Sequence, residues 1–487
     1  MRRSRLTEIN VIQKPIYDVQ WRIGLVYPNS YSIGMSGLTI KLLYHLLNQH
    51  QNIFTERVFF SADLPGPLRS IETGKTLAQF DLLAFTFQFE LDYINAIKML
   101  LRSGIPVYVK NRKKDHPLLL AGGPTVTTNP EPLFDIFDVF FSGEFESVAA
   151  PFLEAFISSK HDILLDTILS VPGFYTPETF SQMTPKITSN LDKVNYPTAQ
   201  VRPFKPRKKG VLDGYFLQIS RGCTHGCHFC LIGKYFRPQR ERSLSMLKNL
   251  IDKGSKGTKT NYFSLIGSSV ADYSQIKELL DYFIEKKLKF TLPSIRIDSG
   301  IDVLDSIKQT GLRCLSIAPE TALEDVRVKI GKKISNSQIF EFLKRADQHN
   351  IQEIRLYFIL GLTSNIISES QEIVAFIDSL AKSHPTVKFT MSVTPLIPKR
   401  GTKLANGCVN YQKIQEGLNI LNQNLSRRIR YKSFPINWAA IQAILSIGGR
   451  ELTPIMIDIA NNGGSYQSWK KNLEMEPIDY YLTHYCC

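Results

Sequence analysis

The sequence predicts an α/β protein. A doubly wound parallel sheet comes first, a partial (β/α)6 barrel of the TIM type follows, and a mainly helical region ends the chain. Three observations carry this expectation. Short unbroken apolar runs alternate with helix-period stretches over residues 22–160. A segment rich in proline and basic residues, YPTAQVRPFKPRKKGVL at 196–212, then interrupts the alternation. Beyond it come six more strand-like runs, separated by helical patterns and without a reversal. At 487 residues the chain is too long for one ordinary core. The expected division is 1–195, a linker at 196–212, a barrel at 213–405 and a helical, basic part at 406–487.

In the first part, RIGLVY (22–27) precedes a helix carrying Leu38, Leu42, Leu43, Leu46 and Leu47. DLLAFTF (81–87) precedes a second helix, with Leu91, Ile94, Ile97 and Leu101. HPLLLAGG (116–123) and FDVFFSG (137–143) complete the set, with a helix after the last. Strands that read as continuous apolar runs are buried on both faces, as in a parallel sheet sandwiched by helices. Ligands of such sheets bind beyond the strand carboxyl ends. Here those ends carry Tyr27 and Asn29, Thr86 and Gln88, Gly122 and Gly123, and Glu144.

In the second part the strands are YFLQIS (215–220), YFSLI (262–266), KFTLPSIRI (289–297), RCLSIAP (313–319), EIRLYFIL (353–360) and VKFTMSV (387–393). Barrel chemistry sits at the strand C-termini. The C-terminal part carries the basic tract SRRIRYK (426–432).

Composition narrows the class. The N-terminus MRRSRLTEIN leads into no apolar run, so no secretory signal is expected, and no stretch approaches the roughly 20 apolar residues of a membrane span. Seven cysteines, four of them scattered, do not form a disulfide framework, which points to reduced thiols in the cytoplasm. Net charge is +15, and it is uneven: 18 Lys/Arg face 19 Asp/Glu in residues 1–195, against 41 and 25 in the rest. Such a basic portion can attract nucleic acid or a phosphorylated substrate, or can be a set of solvated lysine-rich faces.

Three cysteines lie within eight positions: Cys223, Cys227 and Cys230, in SRGCTHGCHFCLIGKYFRPQRERS (220–243) just after the first barrel strand. Thiolates this close can share one metal centre, and soft sulfur favours iron–sulfur clusters, zinc or Cu(I). A four-iron cluster ordinarily takes four thiolates, so three leave one iron open. Gly222 and Gly226 would let the loop fold tightly. The competing arrangement is a Cys3His zinc site completed by His225 or His228, though its spacing is tighter than that of usual zinc modules. Neither histidine is otherwise expected to be more than a loop residue.

The C-x3-C-x2-C loop after a first barrel strand resembles the signature of the radical S-adenosylmethionine (radical SAM) superfamily. SIRIDS (294–299), LSIAPETALEDVRVKIGK (315–332), LYFILGLTSN (356–365) and TPLIPKRGT (394–402) follow in the order seen in that family. In the first part, YPNSYSIGMSGL (27–38), FTFQFELDYINAIKML (85–100) and AGGPTVTTNPEPLFDIFDVFFSGEFE (121–146) resemble the cobalamin-binding, flavodoxin-like domain fused to one group of these proteins. The C-terminal piece, with GGREL (448–452), is similar to the tail of an uncharacterised branch of that group.

The resemblance implies that Cys223, Cys227 and Cys230 hold a 4Fe–4S cluster whose fourth iron binds S-adenosylmethionine. One electron from the reduced cluster then cleaves a C–S bond and releases a 5′-deoxyadenosyl radical. Phe229 matches the aromatic position near the adenine. Gly267, Ser268 and Ser269 stand where the family commonly has Gly-Gly-Glu facing the cofactor's amino group. Glu320, with Ser316 on the same rim, is placed to accept the ribose hydroxyls. Arg296 and Arg355 can meet the cofactor carboxylate. Alternatively they form internal salt bridges to Asp298, Glu320 or Glu353. Tyr27, Asn29, Thr86, Gln88, Gly122, Gly123 and Glu144 are the residues placed for cobalamin. The loop lacks the Asp-x-His-x-x-Gly histidine of many cobalamin domains, and the nearest, His45, lies in the following helix. A degenerate scaffold is the other reading of this domain.

The implied function is reductive cleavage of S-adenosylmethionine, serving cobalamin-dependent methyl transfer or a radical rearrangement. The alternatives are a tRNA-modifying radical SAM enzyme, motivated by the basic second half, and a non-catalytic zinc or iron–sulfur scaffold. A flavodoxin or ferredoxin is the expected electron donor, RNA a less favoured partner, and no membrane is involved. Cys314 is expected in the core of a buried strand. The terminal pair Cys486-Cys487 is either a redox or metal handle or an incidental tail pair, and Cys408 is assigned no role.

Overall fold

The computed structural model describes residues 7–15, 18–62, 66–204, 214–308, 310–405 and 409–473. Cys408, Cys486, Cys487 and residues 205–212 of the expected linker lie outside them. The chain forms two compact units. The first holds the residues up to Tyr215 together with Asp252–Thr260 and Leu445–Met475, and the second holds Phe216–Ile251 and Asn261–Ile444.

The sheet of the first unit contains β1 (Trp21–Tyr27), β2 (Ile53–Phe59), β3 (Leu82–Thr86), β4 (Leu118–Gly122), β5 (Val139–Phe141) and β6 (Phe174–Tyr175), in the order β2-β1-β3-β4-β5-β6. All pairs are parallel except β5 with β6. The order 2-1-3-4-5 is that of a flavodoxin-like sheet, whose ligand crevice opens between β1 and β3. One face is sealed by Trp21, Ile23, Leu25, Phe152 and Phe156, with Phe152 stacked on Phe174 at 5.3 Å. The other carries Phe85, Phe87, Tyr93 and Phe137 in edge contacts. The helix after β3, Asp92–Arg102, buries Ile94 and Ile97, but Leu101 is 38% exposed and belongs to its outer face.

The edge strand β2 was not legible as an apolar run, because its centre is Thr55-Glu56-Arg57. All three are nonetheless buried. The Arg57 guanidinium donates to Glu72 (2.7 Å) and Glu8 (2.6 Å), while Glu56 accepts from the hydroxyls of Ser70 (2.7 Å) and Thr73 (2.6 Å). Buried charge is tolerated where it is paired in this way.

The second unit has β7 (Tyr215–Gln218), β8 (Tyr262–Ile266) and β9 (Lys289–Thr291) in one sheet, ordered β9-β8-β7. A second sheet, parallel throughout, contains β10 (Cys314–Glu320), β11 (Glu353–Leu360), β12 (Lys388–Pro395) and β13 (Arg430–Ser433). A single parallel bridge, Ile295 to Ile317, joins the two, with the Ile295 amide donating to Ser316 O at 2.7 Å. Strands β7 to β12 thus follow one another in chain order, as a partial barrel requires.

Three departures from expectation have simple causes. The run 289–297 is a strand only to Thr291; Pro293 offers no N–H to a ladder, and a helix begins at Ile297. Arg296 therefore sits at a loop–helix junction. Ser220–Arg221 leaves β7 to pair antiparallel with Arg240–Glu241. The C-terminal part is mainly helical, but the tract containing SRRIRYK forms β13, in register with β12. That part is also divided between the units, because Leu452, Met456 and Ile459 give the helix Leu452–Asn461 an apolar stripe that packs on Asp92–Arg102 in the first unit.

Candidate active site

The loop after β7 is shaped by contacts that a larger residue would break. Gly222 has φ +79°, and a Cβ there would fall 2.3 Å from Phe236 O and 2.4 Å from Pro238 O. Gly226 has neither constraint, so only the first glycine is required by the fold. The loop is anchored farther on, where the His228 amide donates to Ile330 O (2.9 Å) and the Cys230 amide to Cys227 O (3.1 Å). Gly331, at φ +78°, lets the main chain at Gly226 come close. Cys223, Cys227 and Cys230 are half-buried thiols without a disulfide.

Cations surround Cys227. Arg296 Nη1 lies 3.8 Å from its Sγ and holds Asp298 through two further bonds of 3.0 and 2.7 Å. Burial pushes the Cys223 and Cys227 thiols up, and the charges of Lys332 and Arg296 pull Cys227 back toward the thiolate. Lys332 Nζ donates to Glu320 Oε1 at 2.8 Å, and both are buried. Glu320 sits at the end of β10 with φ +70°; burial raises its carboxyl, and Lys332 opposes this. The carboxylate expected to face a ribose is thus held in an ion pair.

His225 is more than a loop residue. Its Nε2 lies 2.7 Å from Asp272, just beyond β8. Burial is the largest single influence and would raise the Asp272 carboxyl, but the bond and charge of His225 together with the hydroxyls of Ser299 and Ser269 outweigh it and hold it at about 2. Those hydroxyls lie outside full hydrogen-bond geometry yet favour the charged form. Asp272 thereby ties the cysteine loop to the segment after β8. His228 Nε2 lies 3.2 Å from Lys403 Nζ. Both imidazoles are thus engaged, and among the described residues no group of three or more His, Cys, Asp or Glu side chains is set to hold a metal ion.

The remaining expected positions divide. Phe229 is half-buried in the cysteine loop. Gly267 passes close to Ser220, whose hydroxyl lies 2.7 Å from where a Cβ would be and is buried without a hydrogen-bond partner. Ser268 is exposed and Ser269 buried. Ser316 and Arg355 stand instead on the open face of the second sheet, where Arg355 is half exposed and bonds Glu353 at 2.9 Å. Both arginines therefore adopt the salt bridges that competed with a cofactor role, and only Arg296 also reaches a cysteine. Cys314 is half-buried on the same open face, not in the core.

In the first unit the strand-end residues gather along one edge. Asn29 Nδ2 donates to Asp92 at 2.7 Å across the β1–β3 crevice, and Gln88 Nε2 donates to Thr86 Oγ1 at 3.2 Å. The Phe87 amide donates to Gly122 O at 2.8 Å, and Gly123, at φ +109°, allows an approach that a Cβ would block at 2.4 Å from Phe87 O. Asn29, Gln88 and Gly123 remain partly open, whereas Tyr27, Thr86, Gly122 and Glu144 are buried. Glu144 spends a carboxylate oxygen on the Thr188 amide at 2.9 Å, so it supports the edge and does not line it. His45, half-buried, bonds Asn195 (3.1 Å) and not the crevice.

Two family models match this chain: "Radical SAM proteins, N-terminal" over residues 39–177 and "Radical SAM superfamily" over 217–377, the latter spanning the cysteine loop. The chain belongs to the radical SAM superfamily. A relative in Methanocaldococcus jannaschii, itself uncharacterised, is 27% identical over 474 residues, covering 95% of this chain and 96% of its own. The ribosomal protein uS12 methylthiotransferase RimO of Leptospira biflexa is 24% identical over 226 residues, 43% of this chain and 48% of that one. Among solved structures, the radical SAM methyltransferase TsrM of Kitasatospora setae, with cobalamin and a 4Fe–4S cluster bound, aligns with TM-score 0.58 and 10% identity over 95% of this chain and 99% of its own. The cobalamin-dependent radical SAM enzyme OxsB, with aqua-cobalamin and S-adenosylmethionine bound, aligns with TM-score 0.54 and 13% identity over 94% and 71%. These likenesses establish a two-part α/β fold shared along nearly the whole chain. Among the described residues no helix is long and apolar enough to cross a membrane.

Proposed function

We propose that this protein is a cytoplasmic radical SAM enzyme that uses a 4Fe–4S cluster held by Cys223, Cys227 and Cys230, S-adenosylmethionine, and cobalamin in the first unit. The observation that carries the reading is one loop presenting three unpaired, half-buried thiols, with Arg296 3.8 Å from the Cys227 sulfur. When bound, a reduced cluster with one open iron supplies the electron that cleaves S-adenosylmethionine to a 5′-deoxyadenosyl radical, and cobalamin supplies a methyl carrier. Arg296 and Lys332 offset the negative charge of thiolate ligands, which low dielectric would otherwise make costly. Phe229 offers a ring beside the cysteine loop for the adenine. Ser268 and the backbone at Gly267 offer acceptors to an ammonium. In the first unit, Asn29, Gln88 and Gly123 line the crevice for cobalamin, and the β1 loop contributes no histidine to its metal. The product is a methylated or rearranged substrate, and a flavodoxin or ferredoxin supplies the electron.

The test is anaerobic purification from cells supplied with iron and cobalamin, followed by elemental analysis. About four irons and one cobalt per chain are expected, with 5′-deoxyadenosine formed on adding dithionite and S-adenosylmethionine. Iron without cobalt would remove the cobalamin role. Zinc with little iron, persisting after reconstitution, would overturn the proposal.

A further inference from the structure

The second sheet departs from what parallel strands usually show. Such sheets are ordinarily covered on both faces. Here Ile354, Leu356, Phe358 and Leu360 of β11, with Phe389, Met391, Val393 and Pro395 of β12, are buried on one face. The opposite face is mostly polar and open, although Thr390 on it is buried. Arg355 is 49% exposed at its side chain and Tyr357 is 40% exposed. The pairing register sets Arg355 beside Thr390 and Arg430 in one row, and Tyr357 beside Ser392 and Lys432 in the next. Glu353 pairs in register with Lys388, so this face carries four cations, Arg355, Lys388, Arg430 and Lys432, against one carboxylate.

We infer that Arg355, Arg430 and Lys432 form an anion subsite that selects a small substrate presenting a phosphate or a carboxylate. This rests on the enzymatic reading above, since it makes the open face of the half-barrel the substrate wall. Strands lie about 4.8 Å apart, which puts the Cα atoms of Arg355 and Arg430 about 10 Å apart across Thr390, within reach of one oxyanion for two long side chains. Lys432 stands one row farther along the same face. Among the described residues the side chains of Arg430 and Lys432 make no hydrogen bond or salt bridge; their main chains pair with β12, and the charge of Arg430 acts on Glu353. Glu353 is the one counter-charge: its bond to Arg355 holds its carboxyl low, with Arg430 adding to the effect. An incoming phosphate or carboxylate would take the free donors of Arg430 and Lys432 and share Arg355 with Glu353. Guanidinium forks match both anions, while the buried Thr390 between them donates its hydroxyl to Glu353 at 3.4 Å.

The test uses the full chain, reconstituted with iron, and phenylglyoxal as an arginine probe read by peptide mass spectrometry. Inorganic phosphate, malonate and, at matched ionic strength, chloride are the three arms. Phosphate or malonate at about four times its dissociation constant should slow modification of Arg355 and Arg430 about five-fold relative to chloride. Arg427 and Arg428, exposed just before β13, should react equally in all arms. Protection by phosphate alone assigns a phosphorylated substrate, and by malonate alone a carboxylate. Protection of Arg355 should be lost in R430Q/K432Q, a change confined to exposed side chains. Equal rates in all arms, or protection unchanged in R430Q/K432Q, would overturn the subsite. Iron content and 5′-deoxyadenosine formation in the same preparation judge the enzymatic reading separately. Protection without iron leaves the subsite standing while that reading fails, and iron without protection does the reverse.

Discussion

Replacing Asp272 by asparagine should loosen the cysteine loop without touching a cysteine. Its carboxylate accepts from His225 at 2.7 Å and is held at about 2, against an unfolded value of 3.8. That depression corresponds to about 2.4 kcal/mol if taken at face value. The carboxylate is only partly screened from water, so we take about 1–1.5 kcal/mol, close to the range for a hydrogen bond to a charged group. The sign follows from a depressed folded value. The stabilisation is complete above about pH 5, falls to about half near pH 3 and disappears below about pH 2. In thermal unfolding of the cluster-free chain at pH 7, D272N should melt about 2–5 °C lower than the native protein. At pH 3.5 the gap should narrow. After anaerobic reconstitution, D272N should also lose iron faster to a chelator, because the loop that carries Cys223 and Cys227 is no longer tied to β8. An equal melting temperature at pH 7, or a gap independent of pH, would refute the role given to this pair.

Other substitutions probe separate parts of the argument. K332M leaves Glu320 buried without its cation and should cost about 3–5 kcal/mol, most of it recovered in K332M/E320Q, as urea unfolding would show. Asp92, raised by burial to about 7, makes the first unit less stable as pH rises from about 4 to 7, so D92N should be close to neutral at about pH 3.5, already stabilising at pH 5 and most stabilising at pH 8 in the same measurement. G123A, forced to positive φ and against Phe87 O, should destabilise the protein by about 1–3 kcal/mol. C227A should reduce bound iron well below four per chain and abolish 5′-deoxyadenosine formation, while leaving the far-ultraviolet circular dichroism unchanged.

What could be read from the sequence follows from what each residue must satisfy locally. β1, β3, β4 and β5 were legible because an apolar run of strand length has few other uses, and the cysteine loop because three thiols at that spacing are rare. β2 was missed because its burial is secured by partners distant in sequence, Glu8 and Glu72, which no local pattern reveals. The same holds for the site. Lys332 lies in the run Lys329-Ile330-Gly331-Lys332-Lys333, where any lysine looks solvated, and only its 2.8 Å bond to Glu320 sets it apart. Asp272 and His225 are 47 residues apart, so their pairing depends wholly on β7 and β8 being neighbours. Pro293 was visible, and reading it as the end of a strand would have moved Arg296 to the loop where it is found.

The two arginines expected at the cofactor show how the sheet sorts charge. Both gained a carboxylate two residues away in sequence, Asp298 for Arg296 and Glu353 for Arg355, and a local pair of this kind forms whatever the fold does elsewhere. Their environments nevertheless diverge. Arg296 lies at a junction where the chain leaves β9, with a side chain 13% exposed, and keeps one nitrogen for Cys227. Arg355 lies in mid-strand on the open face and keeps its remaining donors for solvent or for an anion. A cation near thiolates is favoured by their charge and is fixed in place by burial. A half-exposed cation beside two unpaired ones repels them until something negative arrives, which is a reason to hold them in register on a rigid sheet. The same residue type therefore serves the cluster loop in one position and, as inferred here, the substrate in the other.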